Sequence, residues 1–156
     1  MSAGKMGAMN PIRRLTLRAA GVLAAGLVLP LRALAAWNKE AFGAKTAADA
    51  LKSLGAAAGT ESRDVLIEAP QIAENGAVVP IEVSSNIPNT RSILVVIDKN
   101  PFPLVAKFDF GDGALPYVKV NVKMGESSFV RAIAEAGGKY YTAAKEVKIT
   151  IGGCGG

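Results

Sequence analysis

The spacing of short apolar runs in residues 64–151 is the feature that most constrains the fold of this chain. Each run is a few residues long, and glycine, proline, asparagine or aspartate separates it from the next. In one of them Val118, Val120 and Val122 alternate with polar residues, which is the period of a strand with one buried face. No pattern of helical length lies between the runs, which argues against a parallel α/β sheet.

The runs predict seven or eight strands. They occupy residues 65–67, 78–83, 92–98, 104–110, 117–123, 129–135, 139–143 and 147–151. The continuous apolar stretch 93–97 is typical of a strand covered on both faces. Pro80 predicts an edge position or a bulge, because proline cannot donate a ladder hydrogen bond. The glycine pair at 137–138 predicts a hairpin.

Closely spaced strands with such turns favour an all-β fold, an immunoglobulin-like antiparallel β-sandwich over residues 61–151. A small barrel is the alternative. The hairpin at 137–138 leads into Tyr140 and Tyr141, and neighbouring strand residues face opposite sides. We therefore expect one of these tyrosines in the core and the other at the surface or in a partner interface.

A short N-terminal helix and a linker are predicted for residues 36–60. Asn38 is a suitable N-cap, and Phe42, Leu51 and Leu54 recur near helical spacing. Gly55 is a natural stop for this helix.

The first 35 residues have the pattern of an export signal. A basic segment containing Arg13 and Arg14 precedes an apolar run at 19–31, and small residues follow, which predicts cleavage near Ala36. The run is shorter than the roughly 20 residues of a membrane span. The arginine pair and the residues after it resemble a twin-arginine signal, so we expect delivery to the periplasm. An ordinary Sec signal with a chance arginine pair is the alternative. Because the twin-arginine route carries folded cargo, we also expect co-export with a partner.

Charge and composition exclude several kinds of function. Of 18 basic residues, five lie in the signal with no acid, so the rest of the chain carries 13 basic and 13 acidic residues. That balance argues against nucleic-acid binding. The chain has no histidine, which removes Ser-His and Cys-His activation and the usual zinc ligand. No cofactor or metal is expected.

Two polar features in the β-region are weak candidates for chemistry. The stretch 110–113, Phe-Gly-Asp-Gly, superficially resembles a calcium or phosphate loop, but the other ligand positions are missing, and a hairpin turn is favoured. Asp98, Asp109 and Asp112 stand at strand ends and in loops, where carboxylates are usually solvated rather than paired for catalysis.

The C-terminal tail carries the single cysteine of the chain, Cys154, between Gly152-Gly153 and Gly155-Gly156. Glycine removes side chains that could pack and widens backbone freedom, so we expect a flexible tail. This geometry favours a swinging arm that presents a covalently bound group to several enzymes. No histidine activates the thiol, and an exposed cysteine has a pKa of about 8.5, so activation would come from the receiving protein.

Other interpretations of the tail stay open from the residues alone. A lone terminal cysteine in an oxidising compartment could join two copies of a structural β-sandwich through an intermolecular disulfide, or it could be incidental. A catalytic cysteine is disfavoured by the lack of histidine and of a structured setting. One cysteine also excludes an intramolecular disulfide.

The terminal Gly-Gly-Cys-Gly-Gly motif after residues 145–151, together with residues 133–141 and the leader, resembles the SoxY family. These proteins are the sulfur-carrier subunits of the bacterial thiosulfate-oxidising Sox system. The resemblance implies a periplasmic carrier rather than an enzyme. Cys154 would be the site of covalent substrate attachment and would bear thiosulfate-derived intermediates such as the S-thiosulfonate. Gly152, Gly153, Gly155 and Gly156 would form the arm.

The resemblance also implies partners. A SoxZ-like subunit would form a heterodimer with the chain. SoxAX, a c-type cytochrome enzyme, would join thiosulfate oxidatively to the cysteine, SoxB would release sulfate, and a sulfane dehydrogenase, where present, would oxidise the remaining sulfur.

Overall fold

A computed structural model describes residues 38–150 of the chain. The predicted signal peptide, 1–35, and the predicted tail, 152–156, lie outside the described residues, so their boundaries stay predictions. Two short helices come first, α1 (Lys39–Gly43) and α2 (Ala47–Ser53). Neither of these helices is long and apolar enough to cross a membrane.

The predicted N-terminal helix is present, but as two helices rather than one. The Asn38 side chain caps α1 as expected, accepting a hydrogen bond from Ala41 N at 3.0 Å. Thr46 caps α2 in the same way, through Asp49 N at 3.1 Å. Gly43 is a poor helix former, and Thr46 satisfies an N–H that helix initiation leaves unpaired. The sequence therefore ends one helix and starts another within a few residues.

Nine strands follow within the described residues: β1 (Thr60–Glu61), β2 (Val65–Glu68), β3 (Ile72–Ala73), β4 (Val79–Ser85), β5 (Thr90–Ile97), β6 (Leu104–Asp109), β7 (Tyr117–Val122), β8 (Ser128–Ala136) and β9 (Lys139–Ile149). The larger sheet has the order β1-β9-β8-β5-β6, with β3 also paired to β9, and the smaller sheet has the order β2-β4-β7. All pairs are antiparallel except β1 and β3, which run parallel to β9.

This architecture confirms the predicted all-β sandwich and is not a closed barrel. The four long strands β6, β5, β8 and β9 face the three-stranded sheet, an arrangement of the immunoglobulin-like type. Side chains that alternate along the strands meet between the two sheets. The fully buried residues of this core include Ile81, Val83, Ile93, Val95, Val130 and Val147.

The outer face of the larger sheet is covered in part by the two helices. Ala41 and Ala50 pack there against Leu94, Val96 and Ile133, all of which are buried. Because β5 thus has one face on the sandwich core and the other under the helices, its residues 92–97 are buried in succession. The prediction of a strand covered on both faces is confirmed.

The same double cover corrects the expectation for the tyrosine pair. Tyr141 packs on the core between the sheets, whereas Tyr140 packs under the helices and donates its hydroxyl to Leu54 O at 3.0 Å. Both are partly buried. The expectation that one of them faces the surface is wrong, because the helices occupy the face on which it would lie.

The edge prediction for Pro80 is confirmed, whereas the prediction of two separate strands after the 137–138 turn is wrong. Strand β4 is the middle strand of the smaller sheet, but its pairing with β2 stops at Glu82, so Pro80 pairs only with β7. The edge prediction is therefore right for Pro80 itself. The last two predicted strands, in contrast, form the single strand β9, which pairs with β8 from Lys139 to Val147. Gly137 and Gly138, both with positive φ, close that hairpin as expected.

Candidate functional site

The predicted site, Cys154 with Gly152, Gly153, Gly155 and Gly156, lies outside the described residues. The structure instead shows how the chain is held just before them. The last described residue is Thr150, one residue beyond the end of β9. Residues 148–150 are called the tail root below.

Hydrogen bonds hold the tail root from both sides. On one side β3 runs parallel to it, so that Lys148 N donates to Gln71 O at 3.0 Å and Thr150 N donates to Ala73 O at 3.1 Å. On the other side Ile149 N donates to Ser127 Oγ at 2.9 Å. Successive backbone N–H groups are thus bound up to the last described residue, so the position from which the tail starts is well defined.

The turn between β3 and β4 packs against the tail root through a glycine. Gly76 O accepts a hydrogen bond from Met124 N at 2.7 Å. A Cβ at position 76 would lie 2.4 Å from Met124 O and 3.3 Å from Ile149 Cγ2. Glycine is therefore required here by the close approach of two backbones rather than by its φ angle.

The turns at this end of the sandwich are also tied to one another. Strands β9 and β5 end here, and β8 and β6 begin here, as their antiparallel registers require. Asn100 in the β5–β6 turn donates its side-chain Nδ2 to Lys123 O at 2.7 Å, and Lys99 pairs with Glu126 at 3.5 Å. We call this end the tail pole. It consists of the turns 74–78, 98–103 and 123–127 with the tail root.

None of the residues that hold the tail root was singled out from the sequence. Strand β3 has two residues, too few for a periodic pattern, and Gln71 and Ser127 act through one backbone or hydroxyl atom each. The sequence does indicate the supporting turn at Gly76, because a glycine next to asparagine marks a turn. Its contact with Met124, however, is a tertiary feature.

The three aspartates do not form a site, as expected. Asp98 follows β5, and its two carboxylate oxygens share the Nε–H of Arg131, at 2.8 and 2.9 Å; this hydrogen bond raises the pKa of Arg131. Asp109 pairs with Ser92 at the start of β5, so it lies at the other end of the strand, and it forms an ion pair with Lys107. The exposed Asp112 lies in a turn after β6, but the predicted hairpin is wrong, because β6 and β7 belong to different sheets.

In the part of the chain that the structure describes, no three metal-ligating acidic, cysteine or histidine side chains come together. A groove of about 380 Å³ lies beside α2, with Asp98 and Arg131 among its lining residues. In this groove the Asp98 carboxylate is already paired with Arg131. The groove therefore contributes no second candidate site.

A charged cluster occupies the outer face of the smaller sheet. Tyr117 donates its hydroxyl to Glu82 Oε2, and Lys119 Nζ lies against Glu82 Oε1, both at 2.5 Å. The two hydrogen bonds, first that from Lys119 and then that from Tyr117, lower the pKa of Glu82. The hydrogen bond that Tyr117 donates to this carboxylate in turn raises the pKa of Tyr117, because it stabilises the neutral phenol.

We expect Glu82→Gln to lower the pKa of Tyr117 toward its ordinary value, measured by NMR titration of the Tyr117 ring. In the native chain the raised pKa favours the neutral phenol, so this contribution to stability is present at neutral pH and is lost as pH rises through the Tyr117 pKa. The lowered pKa of Glu82 acts in the opposite range, where its contribution is lost as pH falls. An unchanged Tyr117 titration in the variant would contradict the assignment.

Comparisons with known proteins match the chain to one family. The family described as sulfur oxidation protein SoxY matches residues 50–154. Among solved structures, the sulfur carrier protein SoxY from Chlorobium limicola f thiosulfatophilum is 36% identical with a TM-score of 0.62, over 72% of this chain and 98% of that one. A superoxide reductase (neelaredoxin) from Ignicoccus hospitalis is 24% identical with a TM-score of 0.50, over 59% and 81%, which is a likeness of fold alone. No curated protein sequence matches the chain.

Proposed function

This chain belongs to the SoxY family of sulfur oxidation proteins, and on that premise we propose that it is a sulfur carrier that bears thiosulfate-derived groups covalently on Cys154. One observation carries the proposal. The match to the family extends to residue 154, which is the single cysteine of the chain. The matched solved protein is itself described as a sulfur carrier.

The proposed loading step is an oxidation that forms a sulfur–sulfur bond. The Cys154 thiol loses its proton, and its sulfur bonds to the outer sulfur of thiosulfate, giving Cys–S–S–SO₃⁻. Two electrons leave in this step and are taken by a c-type cytochrome enzyme of the SoxAX kind. Hydrolysis of the terminal sulfur–sulfur bond then consumes one water, releases sulfate and leaves a persulfide on the cysteine. A SoxB-like hydrolase would carry out that second step.

The geometry of the tail root supports this role. Cys154 is the fourth residue after Thr150, so an extended backbone places the cysteine at most about 14 Å from the last described residue. A fixed root with a thin glycine tether would let the thiol enter a recessed active site while the sandwich stays outside. Because the chain has no histidine, we assign proton removal from the thiol to the enzyme that receives it.

We also propose the partners and the compartment that family membership suggests. A SoxZ-like subunit would form a heterodimer with the chain, and a sulfane dehydrogenase would act on the persulfide in hosts that have one. Export by the twin-arginine route would place the carrier in the periplasm after signal removal. Loading by successive soluble enzymes fits a body of balanced charge, which forms no strongly attractive surface for one of them.

Intact-protein mass spectrometry tests the proposal. The chain is incubated with thiosulfate and the conjugating cytochrome enzyme, and we expect a mass increase equal to one thiosulfonate group that a thiol reductant reverses. Leaving out the enzyme is the control, and it should give no increase. A chain that stays unmodified, or that is recovered only as a disulfide dimer with no thiosulfonate form, would refute the carrier role and favour a structural protein that dimerises through its tail.

A further inference from the structure

Exposed apolar side chains gather at the end of the molecule from which the tail starts. Among the described residues, seven large apolar side chains are well exposed. Four of these belong to the tail pole or border it: Ile72 (57% exposed), Val78 (55%), Phe102 (47%) and Phe129 (47%). The other three, Leu66, Leu115 and Tyr117, lie on the smaller sheet or at the opposite end.

Two of the four flank the tail root directly. Ile72 is the β3 neighbour of Lys148, and Phe129 is the β8 neighbour of Glu146. Lys148 and Glu146 are both exposed and face away from the core. With strands about 4.8 Å apart and residues about 3.4 Å apart along them, Ile72 and Phe129 lie about 12 Å from each other across β9. They therefore bracket the strand on the outer face of the larger sheet, at the end of that face which the helices do not cover.

A third apolar side chain, Val78, follows the turn that supports the tail root. Gly76, two residues before Val78, is the residue that approaches Met124 and Ile149 closely. Val78 N donates to Asn75 O, so the turn is ordered, and the exposed valine is held at the pole. Exposed apolar side chains on a rigid, hydrogen-bonded frame are typical of a preformed contact surface rather than of a loose loop.

The length of the tail decides what must cover this surface. An enzyme that takes the Cys154 sulfur into its active site comes within about 14 Å of Thr150. A protein interface of ordinary size covers about 800 Å² on each partner, which corresponds to a disc of about 16 Å radius. Such an enzyme cannot react with the cysteine in a recessed site without also covering the tail pole.

From these observations we propose that the apolar residues of the tail pole, Ile72, Val78 and Phe129, form the docking surface for the enzyme that loads Cys154. The occupant is an oxidising enzyme with a recessed active site and an apolar rim. This inference rests on the proposed function. It goes beyond it in assigning the recognition to described residues of the sandwich rather than to the tail alone.

Charge plays little part in this recognition. The tail pole and its border carry exposed acidic and basic residues in nearly equal numbers: Glu74, Glu126, Glu146, Lys45, Lys99, Lys123 and Lys148. Lys99 and Glu126 already pair with each other. Balanced surfaces give little long-range steering, so we expect the loading rate to change little with ionic strength.

The test compares loading kinetics of pole variants with matched variants elsewhere. The full chain, together with any partner subunit that co-purifies, is loaded with thiosulfate by the conjugating enzyme, and kcat/KM is measured against carrier concentration. We expect the double variant Ile72→Ser with Phe129→Ser to lose about tenfold or more. Leu115→Ser, which removes a more exposed leucine at the opposite end (83% exposed), is the control and should change kcat/KM by less than about twofold.

A second pair of variants tests docking without removing any apolar contact. Nothing lies within 4 Å of a Cβ built at Gly125, in the 123–127 turn of the tail pole, or at Gly111, in the loop after β6 at the other end. Gly125→Trp should obstruct docking and lower kcat/KM, whereas Gly111→Trp should not. Both should react with a small disulfide reagent as fast as the native chain does, because Cys154 itself is unchanged.

The outcomes separate this inference from the proposed function. If the native chain loads and the pole variants load equally well, the docking surface is wrong and the carrier role stands. Equal losses in the pole and control variants would also overturn the inference, as would loss of association with the partner subunit in size-exclusion chromatography, since the pole would then belong to the permanent heterodimer. If the native chain itself never loads, the proposed function fails.

Discussion

Replacement of Cys154 by serine is expected to abolish thiosulfate-dependent loading and to reduce thiosulfate oxidation in a reconstituted system to the level seen without the carrier. The thiolate sulfur is the atom that forms the new sulfur–sulfur bond, and a serine hydroxyl is neither ionised near neutral pH nor able to form that bond. The chain has no second cysteine that could take over. The measurement is the intact mass of the carrier together with the rate of thiosulfate consumption.

The thermal stability of the Cys154→Ser chain is the control for this prediction. Cys154 is flanked by glycines on both sides, and we expect a serine in its place to change stability by about 0.5 kcal/mol or less, as surface substitutions do. Cys154→Ser and the native chain should therefore unfold at the same temperature. Continued thiosulfate oxidation by a folded Cys154→Ser chain would rule out the carrier mechanism. A glycine substitution in the tail that leaves the cysteine in place, such as Gly155→Ala, should still load.

Replacement of Gly76 by alanine is expected to lower the free energy of unfolding by about 3 kcal/mol. The new Cβ would lie 2.4 Å from Met124 O, a backbone atom that cannot rotate away. The turn would have to move, and with it the hydrogen bond from Met124 N to Gly76 O. Urea unfolding followed by circular dichroism measures the loss.

Gly125→Ala is the matched control for this change. Both glycines lie at the tail pole, but nothing lies within 4 Å of a Cβ at position 125, so its free energy of unfolding should change by less than about 1 kcal/mol. In Gly76→Ala the amides of Lys148 and Thr150 should also exchange faster with solvent, because the turn that moves adjoins the strand β3 that holds them. Equal stabilities of the two alanine variants would show that the close approach at Gly76 is not needed.

Much of the strand content could be predicted from the sequence because alternation and turn residues are local signals. The β8–β9 hairpin follows from two glycines with positive φ, and β5 follows from its continuous apolar run. What the local pattern could not show was the partner of each face. Tyr140 and Tyr141 have the same side chain and adjacent positions, and only the helices packed over β5 and β8 explain why both are partly buried.

The interruption of the predicted helix and the continuity of β9 also show that a local pattern does not reveal hydrogen-bonding partners. Apolar spacing over residues 42–54 suggested one helix, but the hydrogen bond from Asp49 N to Thr46 starts a new one. Residues 143–146 lack clean alternation, yet they form strand because β8 pairs with them residue by residue. In both places a specific hydrogen-bonding partner outweighed the intrinsic pattern.

The sequence by itself determined the chemistry proposed for this protein. A single cysteine, four glycines around it at the end of the chain and the lack of histidine limit the reactions that the chain can support, because covalent reactivity belongs to individual residues. Only the tertiary structure decided where the tail starts and what surrounds it. Gln71, Ser127 and Gly76 are distant in sequence from residues 148–150, and sheet pairing and turn packing bring them together. The same packing gathers Ile72, Val78 and Phe129 around the tail root, which no local pattern of residues could indicate.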